Sequence, residues 1–302
     1  MPRQRASLLT AVILVTCTVA ANTNLVERKP PDPVSEPSAG SAPQYSALER
    51  ERVIVEPEEP ETEVVDLDAV LAKAVGPVAA DTDASVSVGV LDLESGDAAV
   101  YGDQAYDTAS IVKVDILAAL LLRAQDTGRV LTAQEKAYAR NMIVNSDNAS
   151  ATALWHAIGG SDGLDAANER LGLVSTEGGN GERWGLTQTT AQDQLTLLEA
   201  VFGEESELDK QSRTYIQGLM KQIAAGQDWG VSAAGDGWAL KNGWLPRSAT
   251  GLWDINSIGR VTVDGRVWLV AVLSDGDTTK EAGITLVEDV ARTAVRAVGG
   301  AR

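Results

Sequence analysis

Cysteine and histidine are almost absent from this 302-residue sequence, since Cys17 is the only cysteine and His156 the only histidine. No intrachain disulfide can form, and a Cys/His zinc site, which needs three or four such ligands, is excluded. Because His156 follows Trp155 on an apolar stretch, we interpret it as a packed or surface residue rather than a catalyst. Because Cys and His are so few, a general base that works near pH 7 has to be His156 itself, a carboxylate or a lysine.

Basic residues are also scarce, with 25 Lys and Arg against 43 Asp and Glu, which gives a formal net charge of −18. Binding of nucleic acid depends on neutralising phosphates with Lys and Arg, so we exclude nucleic acid as a partner. Hydrophobic residues make up 44% of the chain, which is typical of a globular protein. The length is enough for one sizeable domain with its own core, or for two small ones.

The first 21 residues have a basic start and a short apolar run that ends in small residues. This pattern predicts a secretory signal peptide, and the run is too short for a membrane-spanning helix. Cys17 stands where bacterial lipoproteins are lipidated, although Thr16 replaces the small residue usual there. Cleavage after Ala20 or Ala21 would instead remove Cys17. We therefore expect export, either with a membrane tether through Cys17 at the outer face of the cytoplasmic membrane or as a free extracellular protein.

Residues 22–65 are rich in proline, glutamate and serine. Proline removes backbone donors, and the apolar residues here are too few to offset the entropy of ordering the chain. We predict an extended, disordered tether over 22–65 and a single folded domain over 66–302.

Strand patterns lie at both ends of the predicted domain and helical patterns fill its middle. We therefore predict an α+β fold, in which strands from both ends form one antiparallel sheet flanked by the first and last helices, with an all-helical lobe beside it. The cleft between sheet and lobe is the expected site. The predicted strands are 85–93, 98–101, 238–241, 257–263 and 267–274; the predicted helices are 67–75, which Gly76-Pro77 should end, then 111–124, 132–144, 149–157, 163–171, 191–202, 208–222 and 280–298.

The first candidate motif is Ser110-Ile111-Val112-Lys113, where the predicted hairpin gives way to an apolar helix. Side chains three residues apart on a helix share a face, so the Ser110 hydroxyl and the Lys113 amine can meet. Serine needs a base within hydrogen-bond reach to act as a nucleophile, and lysine is such a base only where burial keeps it partly neutral. The alternative is a serine N-cap followed by a surface lysine.

The second motif, Ser146-Asp147-Asn148, falls between two predicted helices. These residue types are preferred helix N-caps, so an ordinary cap is the alternative. In the functional interpretation, Ser146 relays a proton between Lys113 and the leaving nitrogen of the substrate. Asn148 donates to a substrate amide carbonyl, and Asp147 points inward and braces the loop.

The third motif, Lys241-Asn242-Gly243, precedes Trp244 on a predicted strand. We expect Lys241 to hold a substrate carboxylate and Gly243 to leave the strand bare for a substrate that lies along it as an added strand. The backbone N–H groups of Trp244 and Ser110 would form an oxyanion hole. Asn242 is included in the same substrate-binding set. The alternative is a strand-end lysine followed by a turn glycine.

In this order, the three motifs resemble those of serine β-lactamases and penicillin-binding proteins, and most closely the class A β-lactamases. The resemblance covers residues 64–302 and also includes Ile158-Gly159-Gly160, Arg170-Leu171-Gly172 and Thr189-Thr190-Ala191. It implies a sheet domain with a helical lobe and an acyl-enzyme on Ser110. The implied ligand is a β-lactam or a peptidoglycan stem peptide, and no cofactor or metal is expected.

The sequence departs from the class A pattern in the loop that carries the deacylating glutamate of that family. Here residues 174–186 are short and glycine-rich, and Glu177 and Glu182 are the only carboxylates in them. Glu182 is the better candidate, with solvated loop glutamates as the alternative. Asn242 also stands where the family usually has Thr or Ser, although an amide can still donate a hydrogen bond.

These features predict a monomeric serine hydrolase that acts on β-lactams through an acyl-enzyme and releases it slowly. Two alternatives stay open at this point. One is a D-alanyl-D-alanine-type peptidase of cell-wall metabolism that uses the same acylation. The other is a non-hydrolytic module that binds penicillin or peptidoglycan.

Overall fold

The computed structural model of the protein describes residues 65–301. The predictions of a signal peptide, of lipidation at Cys17 and of a tether over residues 22–65 lie outside the described residues, except for Val65 at the end of the tether. Over residues 65–301, no helix has both the length and the apolar character needed to cross a bilayer.

A five-stranded antiparallel sheet forms the centre of the molecule, and its strands come from both ends of the described chain. Their order across the sheet is β2-β1-β7-β6-β5, which confirms the predicted single antiparallel sheet. A separate two-stranded ladder pairs β3 with β4. The strands are β1 (Ser85–Asp92), β2 (Ala98–Tyr101), β3 (Tyr106–Asp107), β4 (Gln188–Thr189), β5 (Asp236–Pro246), β6 (Trp253–Val263) and β7 (Arg266–Asp277).

Helices cover the sheet and build a lobe beside it. The first and last helices, α1 and α8, pack together on one face of the sheet, while α6 packs on the other. Gly89 of β1 faces α6, where a Cβ would come within 2.6 Å of the Leu195 side chain, so helix and strand approach closely. The helices are α1 (Leu67–Ala80), α2 (Val112–Asp126), α3 (Ala133–Val144), α4 (Asn148–Ile158), α5 (Gly160–Leu171), α6 (Ala191–Phe202), α7 (Lys210–Met220) and α8 (Lys280–Gly299).

The predicted end of the first helix is wrong, because α1 continues through Gly76-Pro77 to Ala80. Proline in a helix leaves the carbonyl four residues earlier without its usual donor. Here that carbonyl belongs to Lys73, which is exposed and can be satisfied by water. Burial of Leu71 and Val75 against the rest of the core holds the helix on the sheet despite the proline.

Helix α2 lies at the centre of the helical lobe and is buried along most of its length, including two ionisable residues, Lys113 and Asp115. Neither carboxylate oxygen of Asp115 has a hydrogen-bond partner among the described residues. Burial raises the pKa of Asp115 to about 8, and the charges of Asp193 and Asp165 add to the shift. Ionising this carboxyl in the folded state is therefore unfavourable at neutral pH.

We expect Asp115→Asn to remove a pH dependence from the free energy of unfolding. The folded wild-type carboxyl keeps its proton up to about pH 8, whereas the unfolded one releases it near its ordinary value of 3.8. The folded state thus binds more protons between these values, so stability falls as pH rises, by up to about 1.4 kcal/mol per pH unit. Urea unfolding of both proteins at pH 5, 6 and 7 measures the difference in slope.

Asp103→Asn, at an exposed position, is the matched control and should keep the wild-type slope. Equal slopes for wild type and Asp115→Asn would contradict the interpretation of Asp115 as a buried neutral acid.

Candidate active site

Ser110 and Lys113 meet where the chain passes from the strand region into α2. Ser110 lies in a 3-10 turn, Ala109–Ile111, that runs directly into the helix. The Nζ of Lys113 is 2.8 Å from the Oγ of Ser110, the one-turn contact that the spacing of the first motif predicts. Ala109 has φ of 47°, in the left-handed region that non-glycine residues rarely adopt. Such strain is common at functional sites, where the surrounding structure maintains it.

The Lys113 amine is fully buried and surrounded by oxygen atoms. It donates to the carbonyl oxygen of Ser146 at 2.7 Å and to Oδ1 of Asn148 at 2.8 Å, and it lies 3.1 Å from Oγ of Ser146. Burial lowers the pKa of Lys113 to about 7, although the charge of Asp147 acts in the opposite direction. A substantial fraction of the amine is therefore neutral near pH 7, and a neutral amine can accept the Ser110 proton.

Ser146 is held between α3 and α4 in a left-handed conformation, with φ of 56°. This geometry turns both its carbonyl and its hydroxyl toward Lys113. Asp147 does not point inward as predicted: it is exposed and caps α4 by accepting from the backbone N–H of Ser150 at 2.7 Å. The cap fixes the start of α4, and with it the position of Asn148.

Lys241, on strand β5, reaches the hydroxyl of Ser146 from the side of the sheet. Its fully buried Nζ is 3.1 Å from Oγ of Ser146 and donates to the carbonyl of Asn242 at 2.7 Å. Burial holds the pKa of Lys241 well below its usual range, and the charge of Lys113 adds to the shift. A serine hydroxyl accepts two hydrogen bonds and donates one. Because the Lys241 amine donates to Oγ of Ser146, this hydroxyl keeps its own O–H for donation to a further partner.

Gly243 lies against the backbone of Ser110, the candidate nucleophile. A Cβ at this position would be 2.8 Å from the N of Ser110 and 2.7 Å from the carbonyl oxygen of Thr108, so only glycine permits this approach. The strand that carries Trp244 thus runs directly beside the N–H of Ser110, where the predicted oxyanion hole requires it. Among the described strands, β5 is an edge of the sheet.

Asn242 and Trp244 alternate with Lys241 and Gly243 along β5, so their side chains project from the other face of the strand. The amide of Asn242 is buried and donates to the carbonyls of Gln227 and Trp229 at 2.8 and 2.9 Å. The ring of Trp244 packs on that of Trp229, with centroids 6.1 Å apart, and Nζ of Lys280 lies 4.2 Å from its centre. The structure therefore does not bring these two side chains to the Ser110 hydroxyl.

Neither Glu177 nor Glu182 contacts Ser110 or Lys113 through a hydrogen bond or an ion pair within residues 65–301. Glu182 is 74% exposed and pairs with Nε2 of His156 on the outer side of α4, at 3.2 Å. Glu177 is also exposed, and its backbone pairs with Gln188 beside the β3–β4 ladder. The role of either carboxylate in deacylation remains a prediction without a contact to support it.

Two residues that the sequence interpretation missed contribute to the site. Asn256 of β6 donates to the carbonyls of Asp107 and Thr108 at 2.9 and 3.1 Å, which holds the segment before the nucleophile against the sheet. Trp184, in a 3-10 turn at Trp184–Leu186, places its ring centre 4.9 Å from Nζ of Lys113. In the sequence, only the position of Trp184 in the shortened loop indicated that it could belong to the site, and nothing indicated this for Asn256.

Other features of the described residues lie apart from this cluster. A groove of about 1120 Å³ lies between α2, α3 and α7 and includes none of the predicted site residues. Over residues 65–301, no group of three or more Asp, Glu, His or Cys side chains is arranged to hold a metal ion.

The comparisons with known proteins agree with this geometry. The model of the beta-lactamase enzyme family matches residues 133–298, more than half of the 302-residue chain. The chain belongs to the beta-lactamase enzyme family. The matched range includes Ser146, Asn148, Lys241 and Gly243 of this beta-lactamase-family protein. It begins after Ser110 and Lys113, so the interpretation of the first motif is supported by the distances given above and not by the family match.

Solved structures similar to this beta-lactamase-family protein share its fold at low sequence identity. A class A beta-lactamase from Bacteroides cellulosilyticus superposes with a TM-score of 0.66 at 16% identity, covering 78% of this chain and 100% of that one. A beta-lactamase from Chitinophaga pinensis gives 0.65 at 21%, covering 74% and 97%. PBP-A gives 0.66 at 22%, covering 77% and 96%. No curated protein sequence matches the chain.

Proposed function

We propose that this protein is a serine acyl-transfer enzyme that reacts with β-lactams to form an acyl-enzyme on Ser110 and releases the acyl group slowly. The observation that carries the proposal is the chain of contacts from Ser110 through the buried amine of Lys113 to Ser146 and Lys241. A nucleophile, a base near neutrality and a proton donor are the three groups that acyl transfer to serine requires.

The acylation step follows from these positions. Neutral Lys113 takes the Ser110 proton while Oγ bonds to the lactam carbonyl carbon, whose oxygen becomes negative and faces the N–H groups of Ser110 and Trp244. When the carbon–nitrogen bond of the ring breaks, the O–H of Ser146 gives its proton to the leaving nitrogen. Lys113, which lies 3.1 Å from Oγ of Ser146, returns the proton and becomes neutral again. Atoms and charge balance, and the product is an ester on Ser110.

Slow release is supported by the surroundings of Lys113. Hydrolysis of the ester needs a water molecule and a base beside it. Within residues 65–301, Lys113 hydrogen-bonds only to Ser110, Ser146 and Asn148, and no carboxylate forms an ion pair with it. A PBP-A variant, in a structure 21% identical to this chain, is described as an acyl-enzyme complex with penicillin G, which supports the same first step here.

A second candidate is a D-alanyl-D-alanine-type peptidase, and the open edge of β5 favours it. An extended stem peptide could add along this edge with its scissile carbonyl beside Ser110, since main-chain hydrogen bonds bind peptides to sheet edges. The same acylation chemistry would then act on a peptide bond, with Lys241 attracting the terminal carboxylate.

Incubation of the full-length protein with penicillin G, followed by intact mass and by ring opening, tests the proposal. We expect one stoichiometric adduct on the wild type that persists long after free penicillin is removed, and no adduct on Ser110→Ala. Ser248→Ala, at an exposed turn after β5, is the matched control and should behave as the wild type.

Each other outcome points to a different function. Rapid ring opening without a lasting adduct would indicate an efficient β-lactamase. An adduct that forms together with cleavage of a D-Ala-D-Ala peptide would favour the peptidase. Failure of the wild type to form any adduct would refute the proposed acylation and leave a non-hydrolytic binding module.

A further inference from the structure

Trp184 of the shortened loop, 174–186, contacts Lys113 of the Ser110–Lys113 pair. Its indole covers one side of the Lys113 amine, with the ring centre 4.9 Å from Nζ. Nε1 of the indole donates to Oγ1 of Thr152 at 3.1 Å, which fixes the ring plane. Oxygen atoms of Ser110, Ser146 and Asn148 are the other neighbours of the amine. The indole therefore occupies the loop-facing side of the buried amine.

Two further contacts hold this part of the loop on α4. Nε1 of Trp155, which is almost fully buried, donates to the carbonyl of Gly181 at 2.8 Å. Glu182 pairs with His156 one residue further along the helix. The hydrogen bonds of Thr152 and Trp155 hold the chain on both sides of residue 183, whereas the exposed Glu182–His156 contact adds little.

The turn after Trp184 is also fixed against the nucleophile. A Cβ on Gly185 would lie 3.7 Å from the carbonyl oxygen of Ala109, so the turn packs beside the strained residue before Ser110. The backbone N–H of Thr108 donates to the carbonyl of Thr187 at 2.9 Å, which ties the two segments together. The position of the indole relative to the acylated serine is therefore set by backbone contacts as well as by its own ring.

The chemistry of indole bears directly on ester hydrolysis. An indole side chain donates one hydrogen bond and has no side-chain acceptor for a proton, and in this structure the donor is already used on Thr152. The indole itself therefore offers no base to a water molecule on this side of Lys113. A carboxylate side chain at position 184 would start from a backbone position close to the Lys113 amine and to the turn that packs against Ala109.

We propose that Trp184 preserves the acyl-enzyme, because it fills the loop-facing side of Lys113, the place from which a carboxylate could activate water, with a group that cannot accept a proton. This inference rests on the proposed acylation of Ser110. It makes Trp184 a positioning residue that sets the lifetime of the adduct rather than the rate of its formation.

The test compares Trp184→Glu with Trp184→Gln, which has nearly the same shape but no basic carboxylate. Each protein is acylated with penicillin G at pH 8, excess penicillin is removed, and loss of the adduct is followed by intact mass. We expect release to be at least about 100-fold faster in Trp184→Glu than in wild type, the range of a positioned general base, and less than about 10-fold faster in Trp184→Gln. In Trp184→Glu the release rate should also rise with pH as the carboxyl ionises.

The formation of the adduct provides a second readout. A carboxylate beside Lys113 favours the charged amine, so in Trp184→Glu the pH at which acylation reaches half its maximum should move upward. Loss of packing alone would hydrate the amine and raise its pKa in Trp184→Gln as well, so the effect of the carboxylate is the additional upward shift of Trp184→Glu relative to Trp184→Gln. Val174→Glu adds the same charge at an 88% exposed position of the same loop and should leave both profiles unchanged.

The outcomes separate this inference from the proposed function. Suppose that the wild-type adduct lasts. If Trp184→Glu then releases the acyl group no faster than wild type, or no faster than Trp184→Gln, the inference alone is overturned. A wild type that forms no adduct, or that already releases it quickly, would overturn both. If Trp184→Glu fails to fold, Trp184→Ala with added acetate is used, and release that does not rise with acetate concentration would overturn the inference.

Discussion

Replacing Lys113 with methionine is expected to lower the rate constant for acylation by penicillin G by about 1000-fold or more. Methionine keeps the length and the apolar stem of the side chain but removes the amine that lies 2.8 Å from Oγ of Ser110. General bases contribute about 10² to 10⁴ in rate. Here the base also returns a proton to Ser146, so the loss should reach the upper part of that range.

The pH profile of the wild type checks the same role. The pKa of Lys113 is lowered to about 7 by burial, so the neutral fraction rises tenfold per pH unit well below 7 and changes little well above it. The acylation rate constant should follow this curve, rising toward pH 7 and then levelling. If the base had the ordinary pKa of lysine, the acylation rate constant would still be rising at pH 9.

Lys221→Met, at an exposed position after α7, is the matched control and should acylate at the wild-type rate. Thermal unfolding of Lys113→Met shows whether the variant is folded, because removing the amine takes a donor from the carbonyl oxygen of Ser146 and from Oδ1 of Asn148. A folded Lys113→Met that acylates within tenfold of wild type would rule out Lys113 as the base.

Gly243→Ala is expected to cost both stability and activity, because the added methyl group has no space. Its carbon would lie 2.8 Å from the N of Ser110 and 2.7 Å from the carbonyl oxygen of Thr108, and both neighbours are backbone atoms that cannot rotate away. Either β5 or the turn that carries Ser110 must shift. Overpacking of this kind costs about 1–3 kcal/mol, and misplacing reactive groups by about 1 Å can cost about 100-fold in rate.

Urea unfolding and the acylation rate constant measure the two losses in Gly243→Ala. The matched control is Gly218→Ala in α7, where a Cβ meets nothing within 4 Å. That control should unfold at the same or a higher urea concentration, since alanine is favoured over glycine in a helix. A Gly243→Ala protein with wild-type stability and acylation would show that the close approach is not required.

Much of the fold and of the site was accessible from the sequence, because local rules govern those parts. Alternating apolar residues mark the strands, and the Ser110–Lys113 contact follows from one turn of helix geometry. The order of the motifs identified the family, and the family model and the solved structures bear this out. The helix through Pro77 was missed because burial of Leu71 and Val75 outweighs the local effect of a proline.

The remaining parts depend on contacts between segments that are distant in the chain. The sequence marked Ser146 and Lys241 as candidates, but only the folded chain brings both lysines to one hydroxyl. It also turns Glu182 outward to His156 and places Trp184 beside Lys113, although Glu182 and Trp184 are only two positions apart in the same loop. A loop without periodic pattern does not specify which side chain faces inward.

By itself, the sequence determined the family, the sheet-and-lobe architecture and the contact between the candidate nucleophile Ser110 and its candidate base Lys113, because each is encoded by the order of motifs, by periodicity or by spacing over one helical turn. The tertiary structure alone decided how strongly the lysines are buried, which residue covers Lys113 and why position 243 must be glycine. Burial and close approach arise only when strands, helices and loops pack together, and these two quantities set the pKa of the base and the surroundings of the ester.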